Sequence, residues 1–347
     1  MSTVSIGGRL VGPDHPPFII AELSGNHNQS LDRGLAIVDA MAAAGAHAIK
    51  LQTYTADTMT LPGVHRIEDP NSLWYGRELH DLYQEAHTPW DWHKVLFDRA
   101  KYHGMLAFSS PFDESAVDFL ENLDVPAYKI ASFENTDWPL LRRVAATGKP
   151  VIMSTGASTL AEVAEAVAVL QEAGCRELVL LKCTSTYPAT PENTNLRTIA
   201  HLTQLFPDYP IGLSDHTMGV GAAVAAVALG ASVVEKHVTL RRADGGVDSA
   251  FSLEPEEVAL LVTETERAWQ ALGQIQYGVQ RAEKNSRLYK RSLYVAQDIQ
   301  AGEPFTKENL RVVRPGDGLP PRYYDQLLGK PARQSLTAGT PMTWEAL

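Results

Sequence analysis

The chain has 347 residues, 44% hydrophobic and 20% charged, a globular composition that excludes disorder as its main state. Its 41 acidic and 30 basic residues give a net charge of −11. That balance argues against duplex nucleic acid as the main partner, since phosphates demand a basic face. Two cysteines, Cys175 and Cys183, exclude a disulfide framework and a four-thiolate metal site.

The first residues, Met1 to Gly8, lack a basic segment followed by an apolar core, so no signal peptide is expected. The small-apolar stretch 219–234 falls short of the ~20 residues a spanning helix needs. No membrane partner is expected, and the location expected is cytoplasmic.

A strand is predicted over 18–22, then a helix over 31–44 capped by Ser30 and ended by Gly45. The second strand is 48–52. A long polar insertion, 53–88, follows, and its length points to a lid or binding loop. Its aromatic residues around Trp74 and Tyr83 fit a sugar pocket or a loop core equally well. A helix over 90–102 precedes a strand at 105–108. A helix starting near Asp113 leads to a strand at 127–130, and a helix at 138–146 to a strand at 151–154. The next helix opens on the capping box Thr159-Leu160-Ala161-Glu162 and ends at Gly174. Strands at 178–182, 211–213 and 233–235 alternate with helices at 196–206, 219–229 and 255–272.

Eight strand–helix alternations specify a parallel α/β sheet, and at this length a closed (β/α)8 TIM barrel, assigned to 1–280. An open doubly wound sheet would want a Gly-rich fingerprint after the first strand, which Ser24-Gly25-Asn26-His27 does not supply. The polar, basic stretch 281–291 reads as a linker. Residues 292–347 read as a small β-rich domain, marginal for stability on its own.

In a barrel the strand C-termini form the active site. Glu22, Lys50, Gln52, Ser110, Lys129, Ser132, Glu134, Ser154, Lys182, Ser214, Asp215, His216, Glu235, Lys236 and His237 all fall there. Lys50 either pairs structurally with Glu22 or holds a ligand, and Lys129 poses the same choice. The two lysines with Ser110, Ser132 and Ser214 make a phosphate cradle without a Gly-rich loop. Any one of those serines could equally be a helix cap. His216 and His237, on neighbouring strands, are either core residues or ligands of a catalytic metal with open positions. Two nitrogen ligands with oxygen partners permit Mn, Co, Zn or Fe, and Mg less comfortably. His65, His80 and His93 read as surface or packing residues.

At this point the chain resembles the sialic-acid-type nonulosonate synthases. The stretches that carry the resemblance are Phe18 to Asn28, Ala48 to Thr53, Tyr128 to Ser132, Ser214 to Thr217 and Glu235-Lys236-His237. Arg314-Pro315-Gly316-Asp317-Gly318 resembles the family's C-terminal antifreeze-like (SAF) domain. Ser24 to Gln29, Ala131 to Glu134, Ser185-Thr186-Tyr187-Pro188 and Gly245 to Pro255 resemble the pseudaminic acid branch more than the neuraminate branch. Ser185 stands where the neuraminate branch usually has Asn.

The resemblance implies condensation of phosphoenolpyruvate with an open-chain amino sugar. It implies phosphoenolpyruvate on Lys50, Ser110, Lys129, Ser132, Ser185 and Ser214. It implies a divalent metal on His216 and His237, and the sugar on Gln52, Glu134, Tyr187 and Asp248. Arg314 would reach over the partner's barrel in a domain-swapped homodimer. Glu134 or Glu22 would be the general base. In the pseudaminic branch the sugar is 2,4-diacetamido-2,4,6-trideoxy-altrose, for which Phe133 and Phe251 are candidate apolar contacts. Competing expectations are an N-acetylneuraminate or legionaminate synthase, a Schiff-base aldolase using Lys50, Lys129 or Lys182, and a non-catalytic sugar-binding protein.

Overall fold

Local signals set most element ends. In the computed structural model, which describes residues 3–347, the first strands, β1 (Val4–Ile6) and β2 (Arg9–Val11), form an antiparallel hairpin. Met1 and Ser2, included in the predicted barrel span, lie outside the described residues. The hairpin was not predicted. It turns on Gly7 and Gly8, both at positive φ, and a Cβ at Gly8's neighbour Gly7 would meet Leu106 Cδ2 at 2.6 Å. Val4, Ile6 and Val11 pack into the barrel's own core cluster.

Eight parallel strands then close a barrel. They are β3 (Phe18–Glu22), β4 (Ala48–Thr53), β5 (Leu106–Pro111), β6 (Tyr128–Ile130), β7 (Val151–Ser154), β8 (Leu178–Cys183), β9 (Ile211–Asp215) and β10 (Val233–His237). β10 pairs with β3, with His237 opposite Glu22, and β4 puts Lys50 opposite Glu22 on the other side. All three side chains are therefore neighbours at one rim.

Helices cover the outside. They are α1 (Leu31–Ala43), α4 (Trp90–Tyr102), α5 (Glu114–Asn122), α6 (Trp138–Ala145), α7 (Leu160–Glu172), α8 (Arg197–Leu205), α9 (Gly221–Ala228) and α10 (Pro255–Leu272). Ser30 accepts from the Arg33 amide to start α1, and Thr159 and Glu162 form the predicted capping box of α7. The insertion between β4 and α4 carries two short helices, α2 (Ala56–Met59) and α3 (Leu79–Ala86). No helix among the described residues is long and apolar enough to cross a membrane.

The chain divides into two compact units, Met1–Gly273 and Gln274–Leu347. Residues 274–280, assigned to the barrel from sequence, fall in the second unit. That unit holds one antiparallel pair, β11 (Ser292–Val295) with β12 (Leu310–Val313), and a short helix α11 (Tyr324–Leu327). Its core includes Leu293, Val295, Ile299, Phe305, Leu310, Leu327 and Met342.

Candidate active site

Residues two apart on a strand share a face. Lys50 and Gln52, Glu235 and His237, and Ser214 and His216 obey this parity, and all line one cavity of about 340 Å3 at the strand C-termini. Residues of the opposite parity on these strands point elsewhere. Lys236 donates to Asp215 at 2.8 Å and to the Thr217 carbonyl at 2.6 Å. Thr53 bonds Ser109 at 2.6 Å and His93 at 2.8 Å.

A buried ionic quartet forms the cavity floor. Lys50 Nζ lies 2.7 Å from Glu22 and 3.1 Å from Glu235, and Lys129 Nζ lies 3.4 Å from Glu235. Gln52 donates to Glu22 at 2.7 Å and Ser214 to Glu235 at 3.2 Å. Burial opposes the charge on Glu22, but His237, Lys50 and Lys129 outweigh it and hold the carboxyl below its usual range. Burial also works against the Lys50 ammonium, and the two carboxylates overcome it and raise its pKa. Lys129 is lowered by burial and by Lys50, with Glu235 opposing. Glu134 differs from Glu22. Burial, aided by Asp137 and opposed by Lys129, pushes it up to about 7.

The cavity is lined with polar atoms that have no protein partner. Ser110 Oγ, Ser154 Oγ, Glu134 Oε2, Glu235 Oε2 and His237 Nδ1 are buried and make no hydrogen bond among the described residues. Native interiors rarely leave such atoms bare, so this set reads as the imprint of a polar ligand.

The histidines fit a metal. The His216 and His237 ring centroids are 5.2 Å apart. His216 Nδ1 lies 3.0 Å from the Thr184 carbonyl, which can only accept, so the lone pair is left on Nε2. His237 Nε2 is 3.3 Å from Glu22, and its Nδ1 is 3.9 Å from Asp248. No group of three or more His, Cys, Asp or Glu among the described residues forms a ready-made metal cage. Two imidazoles that leave other positions to water and substrate oxygens suit an open catalytic site, not a closed structural one.

The insertion supplies much of the upper wall. Tyr54, Met59, Ile67, Trp74, Leu82 and Tyr83 line the cavity. The aromatic cluster is thus a pocket wall, the reading that sequence left open. Loop contacts fix that wall. Trp74 Nε1 donates to the Val247 carbonyl at 2.9 Å, and Gln29 Nε2 donates to the Glu85 and His87 carbonyls at 2.8 and 2.9 Å. Ser24 donates to Asp248, and Asn28 Nδ2 to the Gly245 carbonyl at 3.1 Å. Gly246 has φ +129°, and a Cβ there would strike Asn28 Oδ1. The segment 24–29 therefore ties the 53–88 insertion and the 245–248 loop to one frame.

Of the residues proposed from sequence, Glu22, Lys50, Gln52, Ser110, Lys129, Ser132, Glu134, Tyr187, Ser214, His216, His237 and Asp248 line this cavity. Ser185 lines a neighbouring chamber instead. Arg314 stands exposed in the second unit. Phe133 lines the cavity at 62% exposure. Phe251 does not line it. It packs behind, 5.0 Å from the His237 ring and 5.4 Å from Tyr187, and is 1% exposed. Its expected role as a sugar contact is corrected to that of a backing for the histidines. Sequence reasoning set Glu235 at the strand ends without giving it a role, although its parity with His237 was a usable signal. Tyr54, Met59 and Ile67 carried no signal, because loop geometry is not periodic.

Residues 37–277 match the NeuB family model and 290–347 the SAF domain model. The chain is 44% identical over 329 residues to a pseudaminic acid synthase of Campylobacter jejuni, covering 94% of this chain and 95% of that one. It is 40% identical to a pseudaminic acid synthase of Helicobacter pylori, covering 94% and 97%. Among solved structures, an N-acetylneuraminic acid synthetase of Leptospira borgpetersenii in complex with citrate is similar at TM-score 0.74 and 33% identity. That match covers 82% of this chain and 95% of the other.

Proposed function

The chain belongs to the NeuB family, and from that premise we propose that it makes pseudaminic acid. It is a transferase that condenses phosphoenolpyruvate with 2,4-diacetamido-2,4,6-trideoxy-altrose and releases phosphate. The observation that carries the reading is the set of bare polar atoms above the Lys50–Glu22–Glu235–Lys129 floor, beside two converging imidazoles. The identities of 44% and 40% to two pseudaminic acid synthases, against 33% to the neuraminic acid synthetase, support the branch.

Lys50 and Lys129 bind phosphoenolpyruvate, with Ser110, Ser132, Ser154 and Ser214 donating to its oxygens. Gln52, Tyr187, Asp248 and the insertion wall orient the sugar so that its aldehyde carbon meets C3 of phosphoenolpyruvate. His216 and His237 would hold a divalent metal, with Mn, Co, Zn, Fe or Mg permitted by the donors. When bound, it would supply polarisation of the aldehyde oxygen. The C2=C3 π pair forms the new C–C bond. The aldehyde π pair moves to its oxygen, which takes up a proton from water and becomes a hydroxyl, and a water molecule adds to the electron-poor C2. Glu134 takes that water's proton, since a carboxylate near 7 with a bare oxygen is a better base at neutral pH than the ion-paired Glu22. The C2 hydroxyl then loses its proton to the departing phosphate, C2=O forms, and the C2–O bond to phosphate breaks so that inorganic phosphate leaves with that electron pair.

A Schiff base on Lys50 is disfavoured, because two carboxylates keep that amine protonated. The apolar insertion wall, with Met59, Ile67 and Leu82, suits the 6-deoxy end of the sugar. The working form is a homodimer in which Arg314 completes the partner's sugar site. The location is the cytoplasm. The test is metal-dependent phosphate release with the altrose derivative. Release with the corresponding 2,4-diacetamido mannose sugar or N-acetylmannosamine alone would move the reading to the legionaminate or neuraminate branch.

A further inference from the structure

Four lysines are buried among the described residues: Lys50, Lys129, Lys182 and Lys236. Three have a carboxylate within reach, Lys50 at 2.7 Å, Lys129 at 3.4 Å and Lys236 at 2.8 Å. Lys182, only 6% exposed, has no carboxylate within 4.0 Å among the described residues. Its Nζ donates to the Thr184 hydroxyl, which donates in turn to the Asn193 carbonyl at 3.3 Å. Burial lowers the Lys182 pKa, and the Cys183 thiol and the Asp215 carboxylate, the latter beyond 4.0 Å, oppose that shift. A neutral hydroxyl adds little, so holding Lys182 as a cation calls for a further anion.

The surroundings of Lys182 say which anion. It lines a chamber of about 410 Å3 whose wall is hydroxyls and amides, among them Thr155, Ser158, Ser185, Thr198 and Asn193. No Asp or Glu among the described residues lines it. The catalytic cavity has the opposite balance, with Glu22, Glu134, Glu235 and Asp248 against Lys50 and Lys129. Thr198 belongs to the first turn of α8, and a helix N-terminus adds favourable dipole to an anion site. Cys183 lines both spaces. The divide beside it is thin: Gly156 sits against Ser185 on one side, and a Cβ there would meet Ser132 Oγ at 2.7 Å on the other. Thr186 and Asn195 at the outer wall are exposed, so the chamber reaches solvent.

We propose that this chamber is a phosphate site distinct from the catalytic cavity, with Lys182 and its surrounding hydroxyls holding the dianion. It stands between the cavity that generates phosphate and the solvent that receives it. Its occupant is therefore the departing product. The product assignment rests on the reaction proposed above, whereas the site itself does not.

The experiment uses the full chain saturated with phosphoenolpyruvate, without sugar, and titrates inorganic phosphate by calorimetry. Phosphate should still bind. Lys182→Met should weaken it by about tenfold or more, and Lys182→Arg should retain it. Phosphoenolpyruvate affinity should match the parent in both variants, which shows the fold and the catalytic cavity intact. Exclusion of phosphate by phosphoenolpyruvate, or undiminished binding to Lys182→Met, overturns the site. A second arm follows pre-steady-state phosphate release against C–C bond formation. A changed release phase in Lys182→Met supports the product as occupant. An unchanged phase leaves solvent phosphate as the occupant and overturns the product assignment. Failure of phosphoenolpyruvate to bind at all would instead remove the proposed reaction, while phosphate binding at Lys182 would still be read on the free chain.

Discussion

Glu134 and Glu22 line the same cavity and behave differently because their neighbours differ. Burial raises Glu134 to about 7, while cations hold Glu22 ionised. A base must be deprotonated to act, so kcat/KM should fall as pH drops through about 7. Glu134→Gln should cost about 100-fold in kcat and remove that limb of the pH profile. A retained limb in the variant would assign it to another group. The same shift has a stability consequence of definite sign. A carboxyl whose folded pKa lies above its unfolded value stabilises the fold below the unfolded value, and that contribution is lost as pH rises through about 7. Glu134→Gln should therefore melt above the parent at pH 8, with the difference shrinking towards pH 5. His237→Ala should abolish tight manganese binding in a calorimetric titration while leaving phosphoenolpyruvate binding measurable.

Within the barrel unit, the least regular segments line the cavity, and under the proposed function they would carry the discrimination between sugars. The insertion 53–88 and the loop 245–248 form its upper wall, and residues 24–29 hold both in register. Trp74→Phe keeps an aromatic ring and loses the indole bond to Val247. It should raise KM for the sugar about tenfold while KM for phosphoenolpyruvate stays unchanged. Equal rises in both would mean that the wall acts on the whole cavity. These contacts were not legible in the sequence, because a loop reports no period from which facing can be read. The regular elements were legible. The ends predicted for Phe18–Glu22, Trp90–Tyr102, Val151–Ser154 and Pro255–Leu272 match the structure, each set by a cap, a Gly or Pro, or a bounded apolar run. The hairpin of β1 and β2 escaped because its strands are three residues long, although Gly7-Gly8 between two alternating triplets was a turn signal. That Lys50, His216 and His237 share one cavity was legible because a barrel gathers its strand ends at one rim. Ser185 was displaced to the next chamber because it lies in the loop beyond β8, where parity no longer applies.

As a whole, the molecule is a (β/α)8 barrel of the NeuB family followed by a SAF domain, two compact units on one chain. If Arg314 completes a partner's site, two inactive chains should rescue each other. Arg314→Ala and His237→Ala, unfolded together and refolded, should recover about a quarter of parental activity, one good site in each mixed dimer. No recovery, with dimers present by light scattering, would place Arg314 in service of its own barrel or of none. The most direct test of the account is phosphate release from phosphoenolpyruvate, run in parallel with the altrose derivative, its 2,4-diacetamido mannose counterpart and N-acetylmannosamine. Each reaction is run with manganese and with chelator. The account predicts release with the altrose derivative alone, abolished by chelator and restored by manganese. Release that survives thorough metal removal, or that occurs without any of these sugars, would contradict it.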